Sequence, residues 1–372
     1  MNDLTVESVE VIPIRVELAR LYQGSHYQMP NRCTILTRIR TRGGLVSEIY
    51  NADEDLPQAE ILQIIREELT PIVTGMDAMA TEKCWDAMSV ILKDQLRNRW
   101  HAVQAIACID SALWDLVGKA VGVPLYRLWG GYRDRLPMIG IGGYYTTDPA
   151  SIEKEVAFFV DEGMVGMKFK IGKLTPAEDI VRLRRAVDSA PEGFEFVVDA
   201  NQAWTVAEAV EFVRRAEDFV QLRWFEEPCL WPNDHEGLRD VRAKAGVPTA
   251  AGQMEFTHAG MRRLMEAAAI DVSNYDASWG GGPTEWRRVA ALAYSFGVEM
   301  GHHEEAQVAS HLLASIPHGT YVEAFDRERD PIFWEMLANR PALEDGQFIL
   351  PDGPGFGWEL DQDFIEHHRA DR

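Results

Sequence analysis

GMVGMKFKIG, residues 163–172, is a short apolar run that carries Lys168 and Lys170 inside it. It follows SIEKEVAFFVDEG (151–163) and precedes PAEDIVRLRRAVDSA (176–190), both of which place apolar residues at helical spacing. A buried strand between two amphipathic helices is the unit of a parallel β/α fold. On such a strand, positions i and i+2 share a face, so the two ammonium groups aim at one place. Lysine is rarely buried, so that face is either wet or opposed by something anionic.

The same unit recurs on both sides. LPMIGIGGY (136–144), FEFVVDAN (194–201), LRWFEEP (222–228), VPTAAGQ (247–253), DVSNYDA (271–277), VEMGHH (298–303) and YVEAF (321–325) read as further strands. VAEAVEFVRRAE (206–217) and TEWRRVAALAYSFG (284–297) are among the helices between them. Eight strands alternating with helices predict a parallel β/α barrel. An open doubly wound sheet is the competing topology, but no Gly-rich fingerprint follows the first strand. Upstream the pattern differs. SVEVIPIRVEL (8–18) and CTILTRIRTRGGLVSEIY (33–50) predict strands, the latter turning at Gly43-Gly44, and residues 58–120 predict helices. An α+β first domain is therefore expected over 1–130 and the barrel over 131–339. GQFILPDGPGFGWEL opens a tail, 340–372, that is expected to pack back on the first domain. ARLYQGSHYQMPNR (19–32) has no clear period and reads as a mobile loop.

Composition narrows the function. The 372 residues are 46% hydrophobic and 26% charged, with a formal net charge of -22 and a pI of about 4.9. Such acidity disfavours nucleic acid and anionic membranes as partners. Cys33, Cys84, Cys108 and Cys229 show neither CxxC pairing nor zinc spacing, which suits a reducing compartment. No signal peptide is evident at the start, and no apolar run is long enough to span a bilayer. The expectation is a cytoplasmic protein.

Polar residues gather where the strands end, at the barrel mouth where active sites are built. They are Lys168 and Lys170, Asp199 and Asn201, Glu226 and Glu227, Gln253, Asp276, His302 and His303, and Glu323. Singly, each reads as a cap, a turn residue or a solvated face. Together on one rim they describe chemistry. Asp199 and Glu226 offer hard oxygens suited to Mg²⁺, and a carboxylate substrate held by metal and ammonium groups would have an acidified α-proton. A lysine beside a second ammonium and a metal ion has its pKa lowered toward neutrality, which suits Lys170 as the base, with Lys168 tuning it. His303 paired with Asp276 provides an acid or base on the far side. Arg20, Tyr22, His26 and Tyr27 in the 19–32 loop, and Tyr144 and Tyr145 at the end of the first barrel strand, are candidates for contacting substrate.

These motifs, in this order, resemble the enolase superfamily and its mandelate racemase-like subgroup. ACIDSALWDLVGKAVGVPLYRLWGG (107–131) resembles its helix before the barrel, KFK its KxK motif, and DAN and FEEP its first metal-ligand motifs. DASWGGGPTEW with the following HH resembles its Asp–His dyad, and YVEAF its strand-eight glutamate. The resemblance implies a (β/α)7β modified TIM barrel, an α+β N-terminal capping domain completed by the C-terminal tail, Mg²⁺, and a homo-oligomer. It implies Lys170 as base, His303 with Asp276 as the second acid or base, and Lys168 as the neighbour that holds the carboxylate. It also implies Glu323 as a protonated acid on the enediolate, Asp199 and Glu226 as metal ligands, and Asn201 facing substrate.

One departure stands out. Where the family places a third glutamate, this chain has Gln253, a neutral oxygen that binds Mg²⁺ more weakly. Glu255, two residues on, is the alternative ligand, and a site that takes metal only with substrate, or not at all, is the third. The same residues serve dehydration of an aldonate or aldarate to a 2-keto-3-deoxy acid and racemisation or epimerisation of a 2-hydroxy acid. Dehydration is the commoner role in the subgroup and is the expectation. A silent acid-binding barrel remains the alternative from another class, with Gln253 as its only support.

Overall fold

The period-2 patterns upstream of residue 52 fold as an antiparallel sheet of three strands, β1 (Val6–Gln23), β2 (Gln28–Thr41) and β3 (Val46–Asn51), in that order. The computed structural model describes residues 3–51, 57–148, 150–230 and 234–371. Gly44 takes φ +87° in the turn between β2 and β3, a conformation that costs glycine little. The expected loop at 19–32 is instead the end of the β1–β2 hairpin: Tyr22 pairs with Met29 and Gln23 with Gln28, after a register shift beyond Glu17. Cross-strand pairing, which has no local signature in this stretch, extends the ladder almost to the tip.

The helix Arg99–Val121 lies against this sheet, capped by the Asn98 side chain, which accepts from Trp100 N, and ended by Gly122 at φ +71°. Two buried carboxylates on it act as joints. Asp115 accepts from the backbone N–H of Glu48 in β3 and of Phe356 in the tail. Asp110 accepts from Thr284 at the start of the helix Gly282–Phe296.

Eight further strands pair parallel in chain order: β4 (Arg135–Gly142), β5 (Gly166–Lys170), β6 (Glu195–Asp199), β7 (Leu222–Glu226), β8 (Thr249–Ala251), β9 (Val272–Ser273), β10 (Glu299–Met300) and β11 (Val322–Phe325). β11 pairs with β4. Met300 N donates to His318 O and Thr320 N to Met300 O, so β10 is bonded to the segment that leads into β11. Seven helices fill the intervals between the eight strands, which makes the expected (β/α)7β barrel. Two begin with Thr-x-x-Glu capping boxes, Thr175 with Glu178 and Thr205 with Glu208. Ile139, Val197, Trp224, Ala250 and Val272 pack together from five different barrel strands. The tail adds the hairpin β12 (Leu343–Glu344) and β13 (Gln347–Ile349), with β13 antiparallel to β4. It then reaches the first sheet, where Arg38 donates to Gln362 and Ala370 N to Pro13 O. Among the described residues no helix is long and apolar enough to cross a membrane, and all four cysteines are buried.

Candidate active site

Strand register assembles the site. Lys170 is the β5 partner of Asp199 on β6, and Asp199 is the partner of Glu226 on β7. Alternation turns Lys168 and Lys170 to one face, where they are 0% and 1% exposed. The face is anionic, not wet. Lys168 Nζ donates to Glu226 Oε1 at 3.0 Å and to Glu323 Oε2 at 2.7 Å. Lys170 Nζ donates to Asp199 Oδ2 at 2.6 Å. Asn201 N supports Asp199 at 2.8 Å, and Asn274 Nδ2 supports Glu226 at 2.8 Å.

Charge follows from these contacts. Burial opposes the Lys168 ammonium, but Glu226 and Glu323 outweigh it and hold its pKa above the ordinary lysine value. Burial likewise opposes Lys170, and Asp199 holds it well above that value. Lys168 by itself does not depress Lys170, and the expected depression also invokes a metal ion. A carboxylate at 2.6 Å outweighs a like charge that is itself neutralised by two glutamates.

On the far side of the ring, His303 Nδ1 lies 3.1 Å from Asp276 Oδ2, and Ser278 N donates to Asp276 Oδ1 at 2.6 Å. His303 Nε2 lies 3.3 Å from Glu304 Oε1. Burial opposes the imidazolium, but Glu304 and Asp276 on its two nitrogens hold its pKa well above the usual value. His302 has a different role. Its Nε2 accepts from Ala277 N and its Nδ1 faces His303 O, so it is a neutral ring tying two loops together. Burial pushes it down.

These groups border a cavity of about 910 Å³ between the barrel mouth and the β1–β2 hairpin. Lys170, Asn201, Gln253 and His303 line it directly. Lys168, Asp199, Glu226, Asp276 and Glu323 are not in its wall but hold the wall residues or one another by the bonds above. Glu255 faces His235 Nε2 at 3.4 Å and is absent from the lining, which leaves Gln253 as the strand-five residue at the cavity. Three expected substrate contacts are displaced. Tyr22 is buried with its hydroxyl toward Asp326, and Tyr144 packs edge-on against it at 5.3 Å. Neither lines the cavity, and His26 is exposed at the hairpin tip, outside the lining. Tyr27, the loop candidate next to His26, does line it. The hairpin's twist, which local sequence does not encode, decides which of these rings faces inward.

The sequence reading attached no role to Glu304 and Glu227, both of which line the cavity. Burial pushes Glu227 up to about 8, with Asp199 and Glu226 adding to it. Glu304 N donates to Glu323 Oε2, and Glu304 Oε2 is buried without a hydrogen-bond partner. Asn201, Gln202, Glu227, Glu304 and Glu305 all have φ between +39° and +62°, in the left-handed region. They make up five of the seven such non-glycine residues among those described, and each follows a barrel strand at the mouth. Strain of this kind gathers where side chains must be aimed at a ligand. The signal available in sequence was the doubling of charge in FEEP and HHEE.

The family models for the mandelate racemase/muconate lactonizing enzyme N-terminal domain and the enolase C-terminal domain-like region match residues 8–130 and 151–364. The chain belongs to the enolase superfamily. It is 30% identical over 357 residues to 3,6-anhydro-alpha-L-galactonate cycloisomerase of Streptomyces coelicolor, across 96% of this chain and 97% of that one. It is 30% identical to arabinonate dehydratase of Saccharolobus solfataricus, across 90% of each. A mandelate racemase/muconate lactonizing enzyme from a marine actinobacterium, solved in complex with magnesium, is 47% identical over 99% of each chain, with a TM-score of 0.93.

The resemblance read from the sequence implied metal ligands at Asp199 and Glu226, with Gln253 in the third position. Among the described residues no group of three or more His, Cys, Asp or Glu side chains is placed to hold a metal ion. The available set is two carboxylates on adjacent strands and Gln253, 6% exposed, whose buried Oε1 has no partner. Oxygen-only donors with one orphaned acceptor fit a divalent cation of the magnesium type.

Proposed function

We propose that this chain is a magnesium-dependent acid-sugar dehydratase, with Lys170 as the base and His303 as the acid that expels the β-hydroxyl. The observation that carries the reading is that Lys170 and His303 open on one cavity from β5 and from just beyond β10, three strands apart around the ring, each tied to its own aspartate. Relatives named for arabinonate dehydration and anhydrogalactonate cycloisomerisation support the acid-sugar class.

In the proposed reaction, Lys170 removes the proton α to the carboxylate. Lys168, joined to Glu323, supplies positive charge for the enediolate that results. The C–O bond at the β-carbon then breaks, His303 gives its Nε2 proton to the departing hydroxyl, and the enol tautomerises to the 2-keto-3-deoxy acid. A relative named as a dehydratase favours this role for His303 over that of a second base. Magnesium, held by Asp199, Glu226 and Gln253, would supply Lewis-acid charge at the substrate carboxylate. Residues 1–130 with 340–372, and 131–339, are the cap and barrel units of this reading.

The test is incubation with Mg²⁺ and a panel of aldonates and aldarates in D₂O, followed by mass spectrometry. Water loss with a 2-keto product is expected. Deuterium gain without water loss would make the protein an epimerase, and no change in any acid would overturn the assignment.

Gln253→Glu should tighten Mg²⁺ binding about 10-fold or more, because a third carboxylate adds a full charge to a hard-oxygen site. Calorimetric titration of Mg²⁺ checks this. Unchanged affinity would remove Gln253 from the ligand set.

A further inference from the structure

Resting on Lys170 as the base, we infer that Asp179, Arg182 and Tyr145 form a clamp that positions it, acting on its main chain from outside the cavity. Asp179 and Arg182 stand three residues apart on the helix Pro176–Ser189, the element that follows β5, and share one face of it. Arg182 Nη1 donates to Lys170 O at 3.1 Å and to Asp179 Oδ1 at 2.7 Å, and Arg182 Nη2 donates to Gly143 O just beyond β4. Asp179, 0% exposed, accepts on Oδ2 from Gly172 N at 2.8 Å. The Tyr145 hydroxyl donates to the same carboxylate at 2.9 Å and accepts from Lys173 N at 2.9 Å. Tyr145, a candidate for contacting substrate, is thus turned to Asp179 and lies outside the cavity lining. Its own N–H donates to Gln23 O in the β1–β2 hairpin.

Beyond one another, the three side chains reach the backbone of Gly143, Lys170, Gly172 and Lys173, where β4 and β5 leave the barrel. The guanidinium lies over the Tyr145 ring at 3.9 Å and the Phe169 ring at 4.9 Å, which fixes its plane. A planar fork can join two carbonyls from neighbouring strands, which a single ammonium does poorly. The turn it holds has little slack. Gly172 has φ +100°, and a Cβ there would lie 2.7 Å from Ala203 Cβ. The amine end of Lys170 is tied to Asp199, which the proposed function also gives to the metal. The main-chain end is the tether that metal binding leaves in place. A base carries its reactive nitrogen at the end of a flexible four-carbon stem, so movement of its peptide moves the amine. A misplacement of about 1 Å can cost about 10²-fold in rate.

Arg182→Met and Arg182→Lys, each with Mg²⁺, test the clamp in two independent ways. Crystal structures should show Lys170 Nζ moved by about 1 Å or more in Arg182→Met, with the Lys168 bonds to Glu226 and Glu323 retained. Proton abstraction, read as α-deuterium uptake and water loss from the aldonates and aldarates in D₂O, should fall about 10²-fold per folded protein. Substrate affinity by calorimetry should stay within about 3-fold, a split that a lower folded population would not produce. Arg182→Lys keeps one donor and should recover about 10-fold of the loss. If Arg182→Met does not fold, Tyr145→Phe, which keeps the ring beneath the guanidinium, should lower abstraction about 10-fold at unchanged affinity. Lys170 unmoved, or abstraction per folded protein equal to that of the unaltered chain, would overturn the inference. Lys170 displaced in Arg182→Met, while the unaltered chain abstracts a proton from no acid, would leave the clamp standing and overturn Lys170 as the base.

Discussion

Lys170→Ala is expected to lower kcat for the acid sugar by about 10²- to 10⁴-fold, the usual contribution of a positioned base. The fall should appear equally in α-deuterium uptake, because abstraction precedes water loss in the proposed reaction. The variant carries a second consequence. Lys170 is the ammonium that pairs with Asp199, so its removal leaves a buried carboxylate hydrogen-bonded to Asn201 and without its direct ion pair. Breaking such a pair costs about 3–5 kcal/mol of stability. Thermal melts with and without Mg²⁺ should show this loss, smaller with the metal present. Full turnover in Lys170→Ala would end its assignment as base.

His303→Asn should separate the two halves of the reaction. Water loss is expected to fall by about 10²- to 10⁴-fold, while Lys170 continues to exchange the α-proton with solvent. Asparagine can still donate toward Asp276, so the Ser278 and Trp279 turn that Asp276 anchors should survive. Deuterium incorporation by NMR against product formation reads both rates in one sample. If exchange and water loss disappear together, His303 acts in abstraction, and the site is that of an epimerase with two bases. Glu304 bears on the outcome, since it faces the same Nε2 that must deliver the proton.

Much of the molecule is legible in the chain because it depends on short periods. Alternation at two residues puts Lys168 and Lys170 on one face, and repetition of strand and helix sends Asp199, Glu226, Gln253, Asp276, His303 and Glu323 toward one rim. The capping boxes at Thr175 and Thr205 and the Gly44 turn are equally local. Register is not. That Asp199 stands between Lys170 and Glu226 comes from strand pairing across about 30 residues at a time. So does the pairing of Lys170 with Asp199 at 2.6 Å.

Residue type and spacing along the chain are enough to read a β/α barrel with a strand-and-helix cap and a rim of carboxylates, lysines and an Asp–His pair. That Gln253 stands where a third acid was expected is what the family resemblance adds. The tertiary structure decided which side chains reach the cavity: Tyr27 and not Tyr22, His26 or Tyr144; Gln253 and not Glu255; His303 and not His302. It also showed Glu227 and Glu304 in the wall and a hairpin where a loop was expected. The physical reason is common to all of them. Inward or outward aim at a strand end is set by twist, left-handed backbone turns and contacts with residues hundreds of positions away, and no local period carries that information.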